Sequence, residues 1–337
     1  GNLEGAVANP NIQWETAIKS NAGIEFGIFE NLLSGTFEYF TEHRRDMLVP
    51  ANQRLNADFV GASAPPANVG ETEMQGYEIE LKFQKSFNKL NTWIRFTHTH
   101  AIDNVIYKED PPLRPDYQKA EGHQIGQNYS TINQYIVQNW DELYTGVLWT
   151  DRSKFLPGDY RQVDYNGDGI IDSNDSAPIG FTTRPQNTYS ASAGIDWRGL
   201  SLMVLFYGTY NVSAQFSLPE YDYNSPVIYA QQRDDGWIPE LGQTTSALYR
   251  GPRLGGTSTG NFWLWDASIL RLKNIELAYA FNRDKLKALK IEGLRFYLSG
   301  NNLLLWTDLP EDREGNYGNN EEYPLTRSMT FGATIDF

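Results

Sequence analysis

Period-two alternation of apolar and polar residues recurs along nearly the whole chain, and it is the feature that most limits the fold. Ala22, Ile24, Phe26 and Ile28 alternate with Asn21, Gly23, Glu25 and Gly27. Leu33, Phe37 and Tyr39 alternate with Ser34, Thr36 and Glu38, and Tyr77, Ile79, Leu81 and Phe83 with Glu78, Glu80, Lys82 and Gln84. The pattern returns at Tyr189–Trp197, Ile275–Phe281 and Leu294–Leu298. In an extended chain successive side chains point to opposite faces, so each stretch predicts a strand with one apolar and one polar face. About nine strands are expected. The last, MTFGATIDF at 329–337, keeps its alternation up to Phe337, where most chains fray.

The connections between these strands are lopsided. Those at 29–31, 87–90, 197–200 and 282–291 are short or modest. Those at about 48–71, 106–186, 216–262 and 306–324 are long and rich in Pro, Gly, Asn and Asp. Compact soluble domains rarely carry loops beyond about 12–15 residues, whereas outer-membrane barrels join short periplasmic turns to long extracellular loops. On this topology the final strand runs toward the turn side, and Phe337 belongs to the interfacial aromatic girdle. The fold class expected is all-β, an antiparallel transmembrane β-barrel segment with long extracellular loops. A soluble β-sandwich or propeller with one polar face shares the alternation but not the loop asymmetry.

Composition is consistent with this reading. Aromatics make up 14% of the 337 residues and cysteine is absent. A net charge of −14 would repel a phosphate backbone, so nucleic acid is not an expected partner. No apolar run reaches the roughly 18 residues of a membrane-spanning helix, but a barrel strand needs only about 9–11 alternating residues. The opening GNLEGAVANPNIQWE has neither a basic n-region nor an apolar h-region, and it reads as the continuation of a longer protein. The polar faces carry Glu25, Glu38, Glu78, Glu80, Asp196, Glu276 and Asp336, expected to line a wet or plug-filled lumen.

One local motif carries specific chemistry, DYNGDGIIDSND at 164–175. Asp164, Asn166 and Asp168 occupy positions 1, 3 and 5 of a twelve-residue cation loop, and Gly169 at 6 permits the sharp turn. Ile170 at 7 offers its backbone carbonyl, Ile171 at 8 is the apolar anchor, Asp172 is at 9 and Asp175 closes at 12. A hard cation needs several oxygens from one short loop, so Ca²⁺ is the expected cofactor. Flanking helices are not predicted. Without a helix pair to open, a clip for a long loop is expected rather than a sensor.

Catalysis is not expected. No Gly-x-Ser-x-Gly elbow, P-loop or His-Glu-x-x-His motif is present, and cysteine chemistry is excluded. His98 and His100 share one strand face at i, i+2 and read as wall residues more than as metal ligands.

Several segments, in order, resemble the C-terminal part of a SusC/RagA-family TonB-dependent outer-membrane transporter. They are NPNIQWE (9–15), EGHQIGQNY (121–129), the cation loop with APIG just after it, DDGWIPELG (234–242) with GPRL (251–254), LRLKNIELAYAF (270–281), LRFYLSGNNLLLWT (294–307) and YPLTRSMTFGATIDF (323–337). Gln124, Asn128 and Ser130 depart from the family's pattern, which has Pro, an aromatic and Gly there.

The resemblance implies that residues 1–337 form about nine strands of a larger, 22-stranded plugged barrel, with loop 106–186 carrying the cation loop. It implies import of glycans or oligopeptides across a Gram-negative, Bacteroidetes-type outer membrane. It also implies a SusD-like surface lipoprotein as lid, TonB acting through an N-terminal part, and a plug and further strands supplied by the remainder of the transporter. Outer-membrane lipid would contact the apolar faces. Tyr107, Tyr117, Tyr129, Tyr135, Trp140, Tyr221, Tyr223, Tyr229 and Trp237 lie in loops that would meet lid or cargo. Two other functions fit the residues: a barrel serving as a structural subunit of an envelope complex, and a secreted Ca²⁺-dependent glycan-binding or adhesion module.

Overall fold

The structure, a computed structural model, describes residues 8–54, 64–150, 155–215, 230–244, 260–282, 286, 290–309 and 325–337. Nine long strands form one antiparallel sheet. They are β1 (Thr16–Ile28), β2 (Leu33–Val49), β3 (Ala67–Phe87), β4 (Leu90–Tyr107), β5 (Asn187–Trp197), β6 (Leu200–Tyr210), β7 (Ile269–Ala280), β8 (Gly293–Thr307) and β9 (Ser328–Asp336). Each pairs with its neighbours in sequence, so spatial order follows chain order and β1 and β9 are the two edges. Among the described residues no helix is long and apolar enough to cross a membrane.

The turn chemistry is local. Trp197 pairs directly with Leu200. Arg198 at φ 49° and Gly199 at φ 91° between them make a two-residue hairpin whose positive φ values match strand twist. Asn88, at φ 55°, turns β3 into β4 in the same way, an αL position that Asn tolerates well.

Register places the alternating residues as expected. Ile24 lies opposite Phe37, Phe37 opposite Ile79, and Leu81 opposite Phe96. This face is open: Ile24 is 67% exposed, Leu298 51% and Phe331 72%. The opposite face carries Glu38, Glu78, Glu80, Arg95, Glu276 and Arg295, with Arg95 bonded to Glu80 at 2.7 Å and Arg295 to Glu276. An apolar face this large, continuous and uncovered needs hydrocarbon or a partner. The cores of the described residues lie instead in the loops. One packs Val137, Leu143, Trp149 and Ile171; another packs Val212, Ala214, Ala267 and Leu309.

The apolar band has a visible upper limit. Tyr39, Tyr77, His100, Asn187 and Tyr210 are successive cross-strand neighbours on the outer face. Beyond them the same face of β2 and β3 turns to Thr41, His43, Gln75 and Glu73. From Tyr77 to Phe87, about ten steps of ~3.3 Å at a tilt of ~40° cover ~25 Å, the height of a barrel's apolar band. The strands therefore continue past the apolar band. β3 starts at Ala67, so the connection expected over about 48–71 is shorter than its sequence suggested. Bulges at Arg44/Met47 and Glu71/Thr72 break the alternation while pairing persists. At the other end β9 closes at Asp336, whose carbonyl accepts from Glu292 N at 2.7 Å. Phe337 lies just outside the strand and is 87% exposed.

Aromatic side chains lock the register. Trp93 pairs directly with Gly194, and Phe40 with Gly76. A Cβ built on Gly194 would overlap the Trp93 indole, and one on Gly76 would meet the Phe40 ring. Each ring thus lies flat across a glycine on the next strand and covers its backbone. Phe26–Gly35, Tyr189–Gly208 and Tyr297–Gly332 repeat the arrangement.

Candidate functional site

The twelve-residue loop is preceded by a short strand, Tyr160–Gln162, and closes in a 3-10 turn over its last three residues, Ser173–Asp175, with no α-helix on either side. Its carboxylates are oriented by its own backbone. Asp164 Oδ1 accepts from Gly167 N at 2.8 Å and Asp168 N at 3.2 Å, and its Oδ2 accepts from Gly169 N at 2.9 Å. Asp168 Oδ1 accepts from Ile170 N at 2.8 Å, and Asn166 Oδ1 from Asp168 N at 2.9 Å. Asp172 Oδ1 accepts from Asn174 N at 2.7 Å. Asp175 is fully buried and accepts from Tyr165 N and Asp172 N, each at 2.7 Å, and from Asn166 N at 3.4 Å. Gly167 and Gly169 have φ of 74° and 87°, with open space where a Cβ would stand. Ile171 is buried against Val137, Leu143 and Trp149, the anchoring role assigned to position 8.

Four carboxylates therefore share one short loop, and none is paired with Lys or Arg among the described residues. Their oxygens are spread around the loop toward its N–H groups. Among the described residues no three His, Cys, Asp or Glu side chains gather as a metal cluster. The loop offers hard oxygen donors on a backbone turned at Gly169, the donor type that a hard cation takes.

The loop is strapped to a distant segment. Gln118 Nε2 donates to the carbonyls of Ser173, Asn174 and Ser176 at 2.9, 3.0 and 2.8 Å. Tyr117 donates its hydroxyl to Asn174 O and packs edge-on against Tyr165, ring centroids 4.8 Å apart. Burial, then the negative charge of Asp175, pushes the Tyr117 phenol up from its ordinary pKa. Just beyond, Tyr129–Ser130 pairs with Ala177–Pro178.

The loop aromatics separate by environment. Tyr117 and Tyr129 are committed to internal hydrogen bonds, the latter to Lys119 O at 2.8 Å. Trp237 donates to Gln138 Oε1 at 3.1 Å. Tyr107, Tyr135 and Trp140 are 46%, 48% and 51% exposed. Trp140 stacks at 5.9 Å on Tyr144, itself 68% exposed, across one turn of a short helix, Trp140–Thr145. Sequence reading missed Tyr144; its i, i+4 spacing from Trp140 was the available signal. Tyr221, Tyr223 and Tyr229 lie outside the described residues.

On the wall, His98 and His100 face outward. His98 Nε2 meets Tyr210 Oη at 3.1 Å, and His100 Nδ1 meets Asn187 Oδ1 at 2.8 Å, which makes them part of the polar-tipped aromatic belt. Glu38 and Glu78 lie directly opposite one another on the inner face, and Glu38 accepts from Asn21 Nδ2 at 3.1 Å.

The comparisons with known proteins agree with this architecture. The family model described as TonB dependent receptor-like, beta-barrel matches residues 1–303. TonB-dependent receptor P3 of Formosa agariphila is 25% identical, over 98% of this chain and 35% of that protein. TonB-dependent receptor SusC of Bacteroides thetaiotaomicron is 25% identical, over 98% of this chain and 32% of that protein. The chain thus spans about a third of the length of the curated relatives it matches. A solved RagAB peptide transporter superposes with a TM-score of 0.76 at 20% identity, covering 98% of this chain and 36% of that one.

Proposed function

Because the chain belongs to the TonB dependent receptor-like, beta-barrel family, we propose that it forms part of the wall and the extracellular mouth of an outer-membrane importer of SusC/RagA type. The observation that carries this reading is the two-faced sheet. One face is apolar and uncovered, the other is charged and cross-linked by Glu80–Arg95 and Glu276–Arg295, and the long connections stand at one end. Nine strands leave β1 and β9 with unpaired edges. An open edge is not viable in lipid, so further strands of a larger barrel complete the wall. The inner face, with Glu38 opposite Glu78, suits a plug that brings basic groups.

In this reading a SusD-like surface lipoprotein covers the mouth, TonB acts through the plug, and the cargo is a glycan or an oligopeptide. The membrane is a Bacteroidetes-type outer membrane. The name of one relative supports the second cargo: RagAB is a peptide transporter. Asp164, Asn166, Asp168, Ile170, Asp172 and Asp175 hold Ca²⁺, which clips the extracellular loop and carries no chemical step. The uncovered apolar face argues against a secreted adhesin, which would bury it.

The test is energised uptake. Cells producing the full-length transporter should accumulate labelled glycan or oligopeptide, and collapse of the proton gradient should abolish accumulation. A co-purifying surface lipoprotein is expected in detergent extracts. Uptake that ignores the gradient would overturn the energised-importer reading, and absence of any uptake would favour a structural subunit.

A further inference from the structure

One cavity, lined in part by Met47, Val105 and Ile125, opens at the loop end of β2–β4. A groove of about 390 Å³ opens instead on the outer face of β7–β9, lined by Leu272, Leu303, Leu304, Arg327, Ser328 and Met329. Backbone geometry makes this dent. Leu272 pairs with Leu304 and Asn274 with Asn301, so Lys273 stands against two residues, Asn302 and Leu303. That is a bulge, and Asn302 takes it up at φ 53°. Gly300, the outward residue two after Leu298, pairs with Met329 and brings no side chain to the face. A Cβ on Gly300 would meet Leu303 at 2.6 Å, so Leu303 leans over the glycine beside Leu304. Elsewhere on this face the cross-strand pairs are filled, as Ile24 with Phe37 and Leu81 with Phe96. β9 is an edge, but a strand added to it would pair in the plane of the sheet and leave the face open.

The groove has an apolar floor and one charge at its mouth. Three leucines and Met329, itself 76% exposed, make the floor. Arg327, exposed at the loop end of β9, brings the charge and has no carboxylate partner among the described residues. Trp306, outward and 49% exposed, stands one outward position beyond Leu304 toward the loop end. An exposed Trp at the end of an apolar face marks the membrane–water interface. At that level an Arg lays its stem on apolar surface and keeps its head among the headgroups, where the planar guanidinium meets a phosphate with two parallel hydrogen bonds. A neutral lipid would leave this charge unmatched, and a soluble anion would leave the leucines uncovered. A lipid carrying both acyl chains and a phosphate satisfies both. We propose that the groove binds one phosphorylated lipid of the outer leaflet, with an acyl chain along Leu272, Leu304 and Met329 and the phosphate on Arg327. Leu298 and Phe331, paired with each other, continue the apolar track toward the turn end. The inference rests on the reading of this sheet as outer-membrane wall and deepens it, from a face exposed to lipid to one lipid held in place.

Native mass spectrometry of the intact detergent-purified transporter tests it. The probes are monophosphoryl lipid A, the same lipid without its phosphate, and inorganic phosphate. Arg327→Gln removes the charge, Met329→Trp fills the groove from an exposed position, and Lys85→Gln removes an outward cation near the turn end as a control. One copy of the phosphorylated lipid should be retained. Loss of its phosphate, or Arg327→Gln, should weaken retention about fivefold. Met329→Trp should weaken both lipid forms, and Lys85→Gln neither, with thermal unfolding unchanged in all three. Equal retention of the two lipids, indifference to Arg327→Gln and Met329→Trp, or an equal loss with Lys85→Gln overturns the inference. So does displacement of the lipid by inorganic phosphate, which would mark an anion site without an acyl groove. Reconstitution into phosphatidylethanolamine–phosphatidylglycerol liposomes is measured in parallel. If the transporter inserts while retention ignores the phosphate, the groove assignment fails and the wall reading stands. If retention behaves as stated but the transporter does not insert, the wall reading fails alone.

Discussion

Single residues act here through what lies directly across the sheet. Gly194 is informative because its neighbour is Trp93: the indole occupies the space a side chain would take. Gly194→Val should destabilise the folded barrel by about 1–3 kcal/mol through overpacking. Adding Trp93→Ala should recover part of that loss. Urea unfolding of the detergent-folded transporter, read as a double-mutant cycle, checks the coupling; independent effects of the two changes would refute the flat-ring lock. At the same scale the turn of loop 164–175 was legible in sequence, because its carboxylates fall within twelve consecutive positions and glycine marks the bend. The Trp–Gly pairs were not. Nothing near Trp93 in the chain points to a glycine about a hundred residues away until the register is known.

Among the elements, the strands were readable and their limits were not. Alternation identified β1 to β3, β5 and β7 to β9, since period two is imposed by backbone geometry alone; β6 carries a continuous apolar run, Leu202–Phe206, instead. It failed above Tyr77, where bulges shift the faces while the ladder to β2 and β4 continues. The loop elements depend more on distant bonds. Gln118 reaches three carbonyls at 173–176, so segment 116–118 and the cation loop form one unit. Removing Ca²⁺ by chelation should raise amide exchange in both segments together and leave β5–β8 unchanged. Asp175→Ala should do the same with Ca²⁺ present, because three backbone N–H groups then lose their buried acceptor at about 1–3 kcal/mol. Hydrogen-exchange mass spectrometry of the full transporter reads both. Exchange that changes at 164–175 while 116–118 stays protected would show that the strap is not a coupling.

For the molecule as a whole, the two faces of the sheet meet different solvents. Leu298 and Ser299 are adjacent in β8 and point opposite ways. Leu298→Arg should cost about 2–4 kcal/mol in lipid if it lies near the midplane, and Ser299→Arg far less. Folding yields and urea midpoints in liposomes check the contrast. Equal costs would mean that the apolar face is not the lipid face.

Local residue patterns were enough to give the strands, the apolar side of each, the long connections and the carboxylate-rich turn at 164–175. All of these follow from spacings of a few residues, set by the pleat or by the reach of one short loop. Packing in three dimensions was needed to show which aromatic covers which glycine, how far the strands rise beyond the apolar band, and that residues 47, 105 and 125 line one cavity. Those depend on which strand lies beside which and in what register, and a local pattern does not carry that information.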